Sequence, residues 1–405
     1  MLISSLYHTQ GIIGYNYQKT ERTKDTEIYY LHSKARRLAC PQCRSRNTSL
    51  VETGKTRDIR GLSIGLKKTT MRVATRRIKC RDCSVSSHEP VLFCPEPRVN
   101  YTKAVAHFVR VLRAKMSIKD AAELSGLHWE TVKNIEKNWL RKKYETVKLN
   151  DVRYMGIDEV YLGKKLGYIT IVRDLISGSV LFVGKGKGGD ALKKFRKRVK
   201  RKSKQIKAVA MDMSNAYSAW VKEVLPDADI IYDHFHLIKL MNDRMNNLRR
   251  STMNKLEDVQ KKELKGKRFL LIRNEEDLDR DAQGELEKLR NEFADLGTAS
   301  VMKECLRNIY KMAMDSTLAR KAFELWSEKA LASGIYCLKQ TAKTITNRME
   351  GILGYWRHGS LTNASQEGFN NKVGWLTRQA YGYRDEEYLH LKIYDLPHLS
   401  TRNDL

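Results

Sequence analysis

The sequence predicts a protein of the α/β class, in which a mixed sheet with a helical insertion follows two small amino-terminal domains. Three observations support this fold class. Two Cys-x-x-Cys pairs lie within the first 100 residues, strand-like runs alternate with helical ones after Asp151, and the segment after about residue 246 has apolar positions at the helical period. We expect two amino-terminal domains, residues 1–100 and 101–148. The mixed sheet would follow in residues 149–245, a helical insertion in residues 246–352, and residues 353–405 would complete the fold of the sheet.

The composition favours a polyanionic partner. The 405 residues include 76 Lys and Arg against 47 Asp and Glu, a formal charge of +29, and nucleic acid is the first candidate for such a chain. An anionic membrane surface is the second, but the sequence has no lipid-inserting helix, no apolar run of about 18 residues and no signal peptide. The seven cysteines are odd in number and scattered, which indicates a reducing cytoplasm.

The first cysteine-rich segment predicts a zinc site. Its two pairs, CPQC and CRDC, supply Cys40, Cys43, Cys80 and Cys83. Four thiolates suit one tetrahedral Zn²⁺ with a structural role, since no position remains open for catalysis. Residues 57–80 alternate like a β-ribbon between the pairs. The alternatives to a zinc site are pairs of free thiols or a redox-active Cys-x-x-Cys. If one of the four cysteines is not a zinc ligand, His88 or Cys94 is the candidate to replace it.

Residues 101–145 predict helices with the spacing of a helix-turn-helix. Ser117 can cap a first helix, Gly126 breaks it, and a second runs from about His128 to Leu140, with Val132 and Ile135 packing it on the first. The side chains that would then face DNA are Trp129, Glu130, Thr131, Lys133 and Asn134. An ordinary pair of helices without DNA contacts needs the same small and apolar positions, so it stays an alternative.

The segment from Asp151 onward predicts the central sheet. The runs YMGIDEVYL, GYITIVRDLIS and GSVLFVGKGKG indicate three antiparallel strands, and IKAVAMDMSNAYSAWVKEVLPDADIIYDHFH then gives strand, helix and strand. This order is that of an RNase H-like core. The segment 193–204 lies between the third and the fourth of these strands. Nine of its twelve residues are basic, which predicts an exposed helix. Its DNA-contact candidates are Lys193, Lys194, Arg196, Lys197, Arg198, Lys200 and Arg201.

Three acids fall where such a core would bring them together. Asp158 lies in the first strand, Asp212 at the end of the fourth, and Glu367 near the start of the last helix. Carboxylates are the ligands that Mg²⁺ prefers, and two such ions activate the nucleophile and stabilise the leaving oxygen in phosphodiester chemistry. The alternative for each acid alone is a turn or helix-cap residue, and for Glu367 a solvated carboxylate favoured by the helix dipole.

The last helix has two distinct faces in the stretch LTNASQEGFNNKVGWLTRQAYGYRD. Phe369, Val373, Leu376 and Ala380 fall on one side, which we expect to be buried. The opposite, polar side carries Glu367, Asn371, Gly374 and Arg378. Asn371 and Arg378 are therefore second-rank site candidates.

These motifs together resemble the bacterial DDE transposases of the ISL-three insertion-sequence family. The resemblance covers nearly the full chain and rests on CPQC…CRDC, GIDEVYLGK, MDMSNAY, DHFH, KRFLLIRN and ASQEGFNNKVGWLTRQAYGYRD. It implies that Asp158, Asp212 and Glu367 are the catalytic triad, with two Mg²⁺ ions that Mn²⁺ can replace. DHFH adds Asp233 and His236 as second-rank candidates, with helix capping as the structural alternative.

The resemblance also implies the partners and the reaction. The finger and the helix-turn-helix would bind the terminal inverted repeats, and the basic stretches would hold flanking and target DNA. Cleavage would free a 3′-hydroxyl for strand transfer, and joining two ends requires a homodimer or a larger assembly. The alternatives are a transposase-derived regulator that binds DNA without cutting it, and an RNase H-like structure-specific nuclease. We expect the protein in the bacterial cytoplasm, on the nucleoid when bound to DNA.

Overall fold

The computed structural model describes residues 2–35, 38–380 and 382–398. The chain forms two compact units, one that ends at Glu145 and one that comprises Thr146–His398. No helix in the described part is long and apolar enough to span a membrane.

The amino-terminal unit is built on a five-stranded sheet. Its elements are α1 (Leu2–Gln10), β1 (Tyr15–Arg22), β2 (Thr26–Ser33), β3 (Thr48–Ile64), β4 (Lys67–Cys80), β5 (Ser86–His88), α2 (Lys103–Arg113), α3 (Ile118–Ser125) and α4 (Trp129–Lys143). The strand order is β1-β2-β4-β3. The fifth strand, β5, lies outside this order and pairs with β4. The β3–β4 hairpin turns at Gly65, whose φ of 59° favours glycine. This hairpin contains the predicted ribbon and extends it to residue 48.

The helices of this unit begin and end at the predicted signals. The Ser117 side chain accepts a hydrogen bond from the Asp120 amide and caps α3, and Gly126 ends it with a φ of 65°. Helix α4 continues to Lys143, three residues beyond the prediction. Ala121 and Val132 are fully buried in the core that α2, α3 and α4 share.

The second unit contains a mixed sheet and most of the helices. Its elements are β6 (Tyr154–Tyr161), β7 (Tyr168–Asp174), β8 (Val180–Lys185), α5 (Lys193–Lys200), β9 (Ala208–Met211), α6 (Asn215–Val224), β10 (Asp229–Tyr232), α7 (His234–Met253), α8 (Asp258–Leu264), α9 (Arg268–Ile272), α10 (Arg280–Glu292), α11 (Ala294–Met312), α12 (Ser316–Ala332), α13 (Tyr336–Arg357), α14 (Ala364–Gln379) and α15 (Glu386–Asp395). The strand order is β10-β9-β6-β7-β8. Strands β6, β7 and β8 are antiparallel, whereas β9 is parallel to both β6 and β10. The predicted pairing of the first and fourth strands is confirmed.

The helical region and the sheet share one hydrophobic core. Met155 and Val209 of the sheet belong to the same buried cluster as Leu306 and Phe323 of the helices. The predicted limits of the helical domain at 246 and 352 fall inside α7 and α13. These two helices therefore connect the sheet to the helical region without a break.

The basic segment 193–204 is amphipathic rather than fully exposed. Helix α5 ends at Lys200, and a short 3₁₀ turn follows at Ser203–Gln205. Phe195 and Val199 are fully buried, and the Phe195 ring stacks on Phe182 with centroids 5.1 Å apart. One side of α5 is thus fixed to the core, which leaves only the other side for a partner.

Candidate active site and zinc centre

The four predicted cysteines form a cluster with the dimensions of a zinc site. Their ligand atoms all lie within 4.8 Å of one another. The Sγ atoms of Cys40 and Cys83 are 3.6 Å apart, as are those of Cys43 and Cys80. Tetrahedral coordination with Zn–S bonds of about 2.3 Å requires S–S distances of about 3.8 Å. The thiols therefore fit a structural Zn²⁺.

The β3–β4 hairpin brings the two cysteine pairs together. One pair precedes β3 and the other follows from the end of β4, where Thr48 pairs with Cys80. Backbone N–H groups of Cys43 and Gln42 point at the Cys40 sulfur and lower the pKa of its thiol to about 7. A lowered pKa favours the thiolate that zinc binds.

The two replacement ligands lie outside this cluster. Cys94 is buried among the apolar side chains of the amino-terminal core, and burial raises the pKa of its thiol to about 11. His88 is exposed on β5. Among the described residues, the only group of three or more potential ligands this close together is the four-cysteine cluster.

The parallel pairing of β6 and β9 brings Asp158 and Asp212 side by side. Ile157 pairs with Met211, and the two aspartates directly follow this pair, Asp158 within β6 and Asp212 just after the end of β9. Burial raises the pKa of both carboxyl groups, and the charge of Asp212 raises that of Asp158 further. Two half-buried carboxylates that repel each other form a site that a cation would stabilise.

His236 lies near both aspartates. A positive charge on its ring lowers the pKa of Asp158 and that of Asp212. It stands in the first turn of α7, which begins directly after the parallel strand β10. Asp233 has a different position: it caps α7, its carboxylate accepting from the Phe235 amide at 3.1 Å. Helix capping was the structural alternative to a role in the site that the sequence analysis gave for Asp233.

Helix α14 packs against β6 through amide side chains. Asn370 Nδ2 donates to Asp158 Oδ2 at 2.7 Å, and Gln366 Nε2 donates to Asn370 Oδ1 at 3.4 Å. Asn363 Nδ2 donates to the Ile157 carbonyl at 3.4 Å. A Cβ at Gly156 would come within 2.5 Å of Asn363 Oδ1, so only glycine permits this close approach.

Glu367 lies on the exposed side of α14, one turn before Asn370. In the described part of the chain the three acids do not form a group as tight as the cysteine cluster. Of the predicted apolar face, Phe369, Val373 and Leu376 are buried. Ala380 is exposed, contrary to the prediction, because α14 ends at Gln379.

Two polar residues near the candidate site, one beside Asp212 and one against the start of α14, were not predicted from the sequence. Glu159 Oε1 accepts from the Tyr217 hydroxyl at 2.7 Å, and its charge raises the pKa of Asp212. Arg173 is buried, donates to the Ser365 carbonyl at 2.8 Å and lies 4.3 Å from the centre of the Phe369 ring. The acidic pair in GIDE and the arginine that directly follows the apolar run YITIV were the available signals.

The DNA-contact candidates differ in how accessible they are. On α4, Trp129 and Asn134 are exposed, whereas Thr131 and Lys133 are partly buried. On α5, Arg196 pairs with Glu223, and Arg198 donates to the Val147 carbonyl at 3.0 Å. The exposed members of that segment are Lys193, Lys194, Lys197, Lys200 and Arg201. Asn371 and Arg378 are exposed on α14.

Comparison with known proteins identifies the family. The model of the DDE transposase family ISL3, described as "Transposase", matches residues 155–393, which include all three acids. The chain belongs to the ISL3 family of transposases. A second model, for the zinc-finger of the transposases of IS204, IS1001, IS1096 and IS1165, matches residues 36–83. This ISL3-family member therefore has both the transposase and the zinc-finger signatures of its family.

The similarity to curated transposases extends over most of the chain. The transposase for insertion sequence element IS1001 of Bordetella parapertussis is 31% identical over 390 residues, 95% of each chain. The transposase for IS1557 of Mycobacterium tuberculosis is 25% identical over 86% of this chain and 83% of its own. The solved Drosophila P element transposase strand transfer complex aligns at 11% identity with a TM-score of 0.39, over 74% of this chain and 91% of that one.

Proposed function

We propose that this ISL3-family member cleaves DNA at the ends of an insertion sequence and joins the freed 3′-hydroxyl to a target. Its catalytic residues in this proposal are Asp158, Asp212 and Glu367. The observation that carries the proposal is the register of β6 and β9, because it makes the two aspartates direct neighbours. The order of the five strands is that of an RNase H-like core, and the relatives are named as transposases of insertion sequences.

The aspartates are suited to hold two Mg²⁺ ions, for which Mn²⁺ can substitute. Their donors are hard carboxylate oxygens, and their mutual repulsion would be relieved by a divalent cation. Bound Mg²⁺ supplies an activated nucleophile and charge stabilisation at the leaving oxygen. Asn370 orients Asp158 through its hydrogen bond, and His236 lies near both acids. Glu367 would complete the set from the first turn of α14.

The amino-terminal unit is proposed to bind the terminal inverted repeats. Helices α3 and α4 have the capping and spacing of a helix-turn-helix, and Trp129 and Asn134 are exposed on the second of them. The exposed lysines of α5 would contact the phosphates of flanking or target DNA. Two ends must be held for joining, so we expect a homodimer or a larger assembly on DNA.

The test is a cleavage assay on labelled DNA that carries the element's own terminal repeat, with Mg²⁺. We expect cleavage at the repeat boundary by the wild type and none by Asp212→Asn or Glu367→Gln, both of which should still bind the DNA. Binding without cleavage by the wild type would identify a regulator instead. Cleavage by Glu367→Gln equal to the wild type would remove Glu367 from the site, and cleavage of branched DNA without strand transfer would indicate a nuclease.

A further inference from the structure

A polar groove of about 810 Å³ lies beside Asp212. Helices α6, α7 and α13 form its walls, and Tyr232 at the end of β10 also lines it. Asn215, Ser218 and Lys222 face it from α6, at helical spacings of three and four residues. Gln340, Lys343, Thr344 and Asn347 face it at the same spacings from α13. The groove is thus formed by continuous faces of regular helices.

Among the described residues that line this groove, four are cations and none is an acid. The cations are Lys222, Arg244, Lys343 and Arg348. Arg244 donates to the hydroxyls of Thr341 and Thr344 at 3.1 and 3.0 Å, and Arg348 donates to Asn215 Oδ1 at 2.7 Å.

Some arginines elsewhere in this unit pair with carboxylates, as Arg290 does with Glu275 and Arg307 with Glu276. In the described part of the chain, no ion pair joins any of the four groove cations to a carboxylate. Because the four positive charges line one groove and have no carboxylate partner among the described residues, the groove favours an anion.

The groove is continuous with the candidate active site. Met213, which follows Asp212 directly, lines it. Arg348 lines the groove as well, and its guanidinium group donates to Asn215 Oδ1 at 2.7 Å, three residues beyond Asp212. An anion bound here would therefore adjoin a group held at the aspartates.

We propose that this groove binds the phosphates of a single DNA strand on one side of the bond that is cut. The inference rests on the proposed function and names the partner of that site in more detail. The four cations of the groove can pair with phosphates, and the amide groups of Gln340 and Asn347 can hydrogen-bond to sugars or base edges. The volume of the groove is that of a pocket for a small ligand, which suits a short piece of one strand better than a duplex.

The first experiment measures the salt dependence of binding. The double variant Lys222→Ala/Lys343→Ala is compared with the wild type on DNA that contains the element end, without divalent metal. The matched control, Lys321→Ala/Lys329→Ala, removes two exposed lysines of α12 that lie outside the groove. Loss of two phosphate contacts should lower the slope of log K against log salt by about 1.4 to 1.8, and the control should leave it unchanged. An unchanged slope for the groove variant would overturn the proposal.

A second experiment locates the contact on the DNA. Neutral methylphosphonates replace single phosphates on either side of the cut position. At the phosphates bound by the groove, the substitution should weaken binding by the wild type and have little further effect on Lys222→Ala/Lys343→Ala. Equal effects on both proteins at every position would contradict the proposal. Ala219→Glu, which adds an acid to the groove without deleting a cation, should also weaken binding.

Two further outcomes are informative. Inorganic phosphate that binds in the groove, as measured by calorimetry and lost in Lys222→Ala/Lys343→Ala, together with an unchanged DNA slope, would indicate a site for free phosphate and overturn the DNA assignment. A wild type that binds the element end but never cuts it would refute the proposed function. A wild type that cuts normally, with groove variants equal to it in cutting and salt slope, would refute only this inference.

Discussion

The side-chain amide of Asn370 is hydrogen-bonded to the carboxylate of Asp158, with 2.7 Å between Nδ2 and Oδ2. The other carboxylate oxygen accepts from the Glu159 amide at 2.8 Å. Both oxygens of Asp158 are therefore held in a fixed orientation, one by its own strand and one by helix α14. This contact joins residues 212 positions apart in the sequence.

Replacement of Asn370 by Leu should lower cleavage while leaving DNA binding intact. Loss of a hydrogen bond that orients a metal ligand typically reduces metal affinity or activity by about 10- to 100-fold. The assay is cleavage of the element end over a range of Mg²⁺ concentrations, where we expect the half-maximal concentration to rise. Lys372→Ala, an exposed change on the same helix, is the control. An unaltered Mg²⁺ dependence in Asn370→Leu would argue against this positioning role.

Replacement of Gly156 by Ala should destabilise the second unit. The new Cβ would lie 2.5 Å from Asn363 Oδ1 and 2.7 Å from Leu175 Cδ2, so α14 or its neighbours must shift. Overpacking of this kind costs about 1–3 kcal/mol. Gly368→Ala is the matched control: its Cβ meets no atom within 4 Å, and alanine in a helix should add up to about 1 kcal/mol. Thermal unfolding of the two variants should therefore move in opposite directions.

The stability of the second unit should fall as the pH drops below about 6.5, in part through His390. Burial lowers the pKa of this imidazole, as do the nearby charges of Lys185 and Lys194, although Glu386 raises it. The unfolded chain then takes up a proton at a higher pH than the folded one, so acid favours unfolding until the folded pKa is passed. His390→Gln should show a smaller decline in unfolding free energy from pH 7 to pH 5. An identical decline in both proteins would exclude His390 as a contributor.

Zinc content should distinguish the four ligands from the other cysteines. Cys40→Ser is expected to lose the bound ion, because it removes one of four thiolates, and with it the stability of the hairpin end. Cys94→Ser and Cys305→Ser should retain one zinc per chain by elemental analysis. Loss of zinc in Cys94→Ser, with Cys40→Ser unaffected, would reverse the ligand assignment.

Much of the site could be predicted because local patterns determined it. Asp158 and Asp212 follow strand-like runs whose order fixes their neighbours, and Ser117 and Gly126 are direct signals for the ends of a helix. The hydrogen bond from Asn370 and the close approach at Gly156 could not be predicted. They depend on how far α14 rotates and slides over β6, which is decided by packing between distant segments.

The density of charged residues was a poor guide to which parts of the surface are exposed. The run at 193–204 predicted an exposed helix, but Phe195 and Val199 fix one side of α5 to the core. Arg196 and Arg198 make contacts within the protein, which depend on side chains and carbonyls far along the chain. The groove next to Asp212 gave no sequence signal, because its four cations come from three helices and become neighbours only on folding.

The order of the elements, in which α14 follows both strands of the aspartates, has a consequence for synthesis. A ribosome completes β6 and β9, with both aspartates, long before it reaches Asn370 and Glu367. Under the proposed function, a nascent or prematurely terminated chain would have its DNA-reading unit but no complete catalytic set. Such a fragment could occupy an element end without cutting it, so the chain would become able to cut only after α14 has been made.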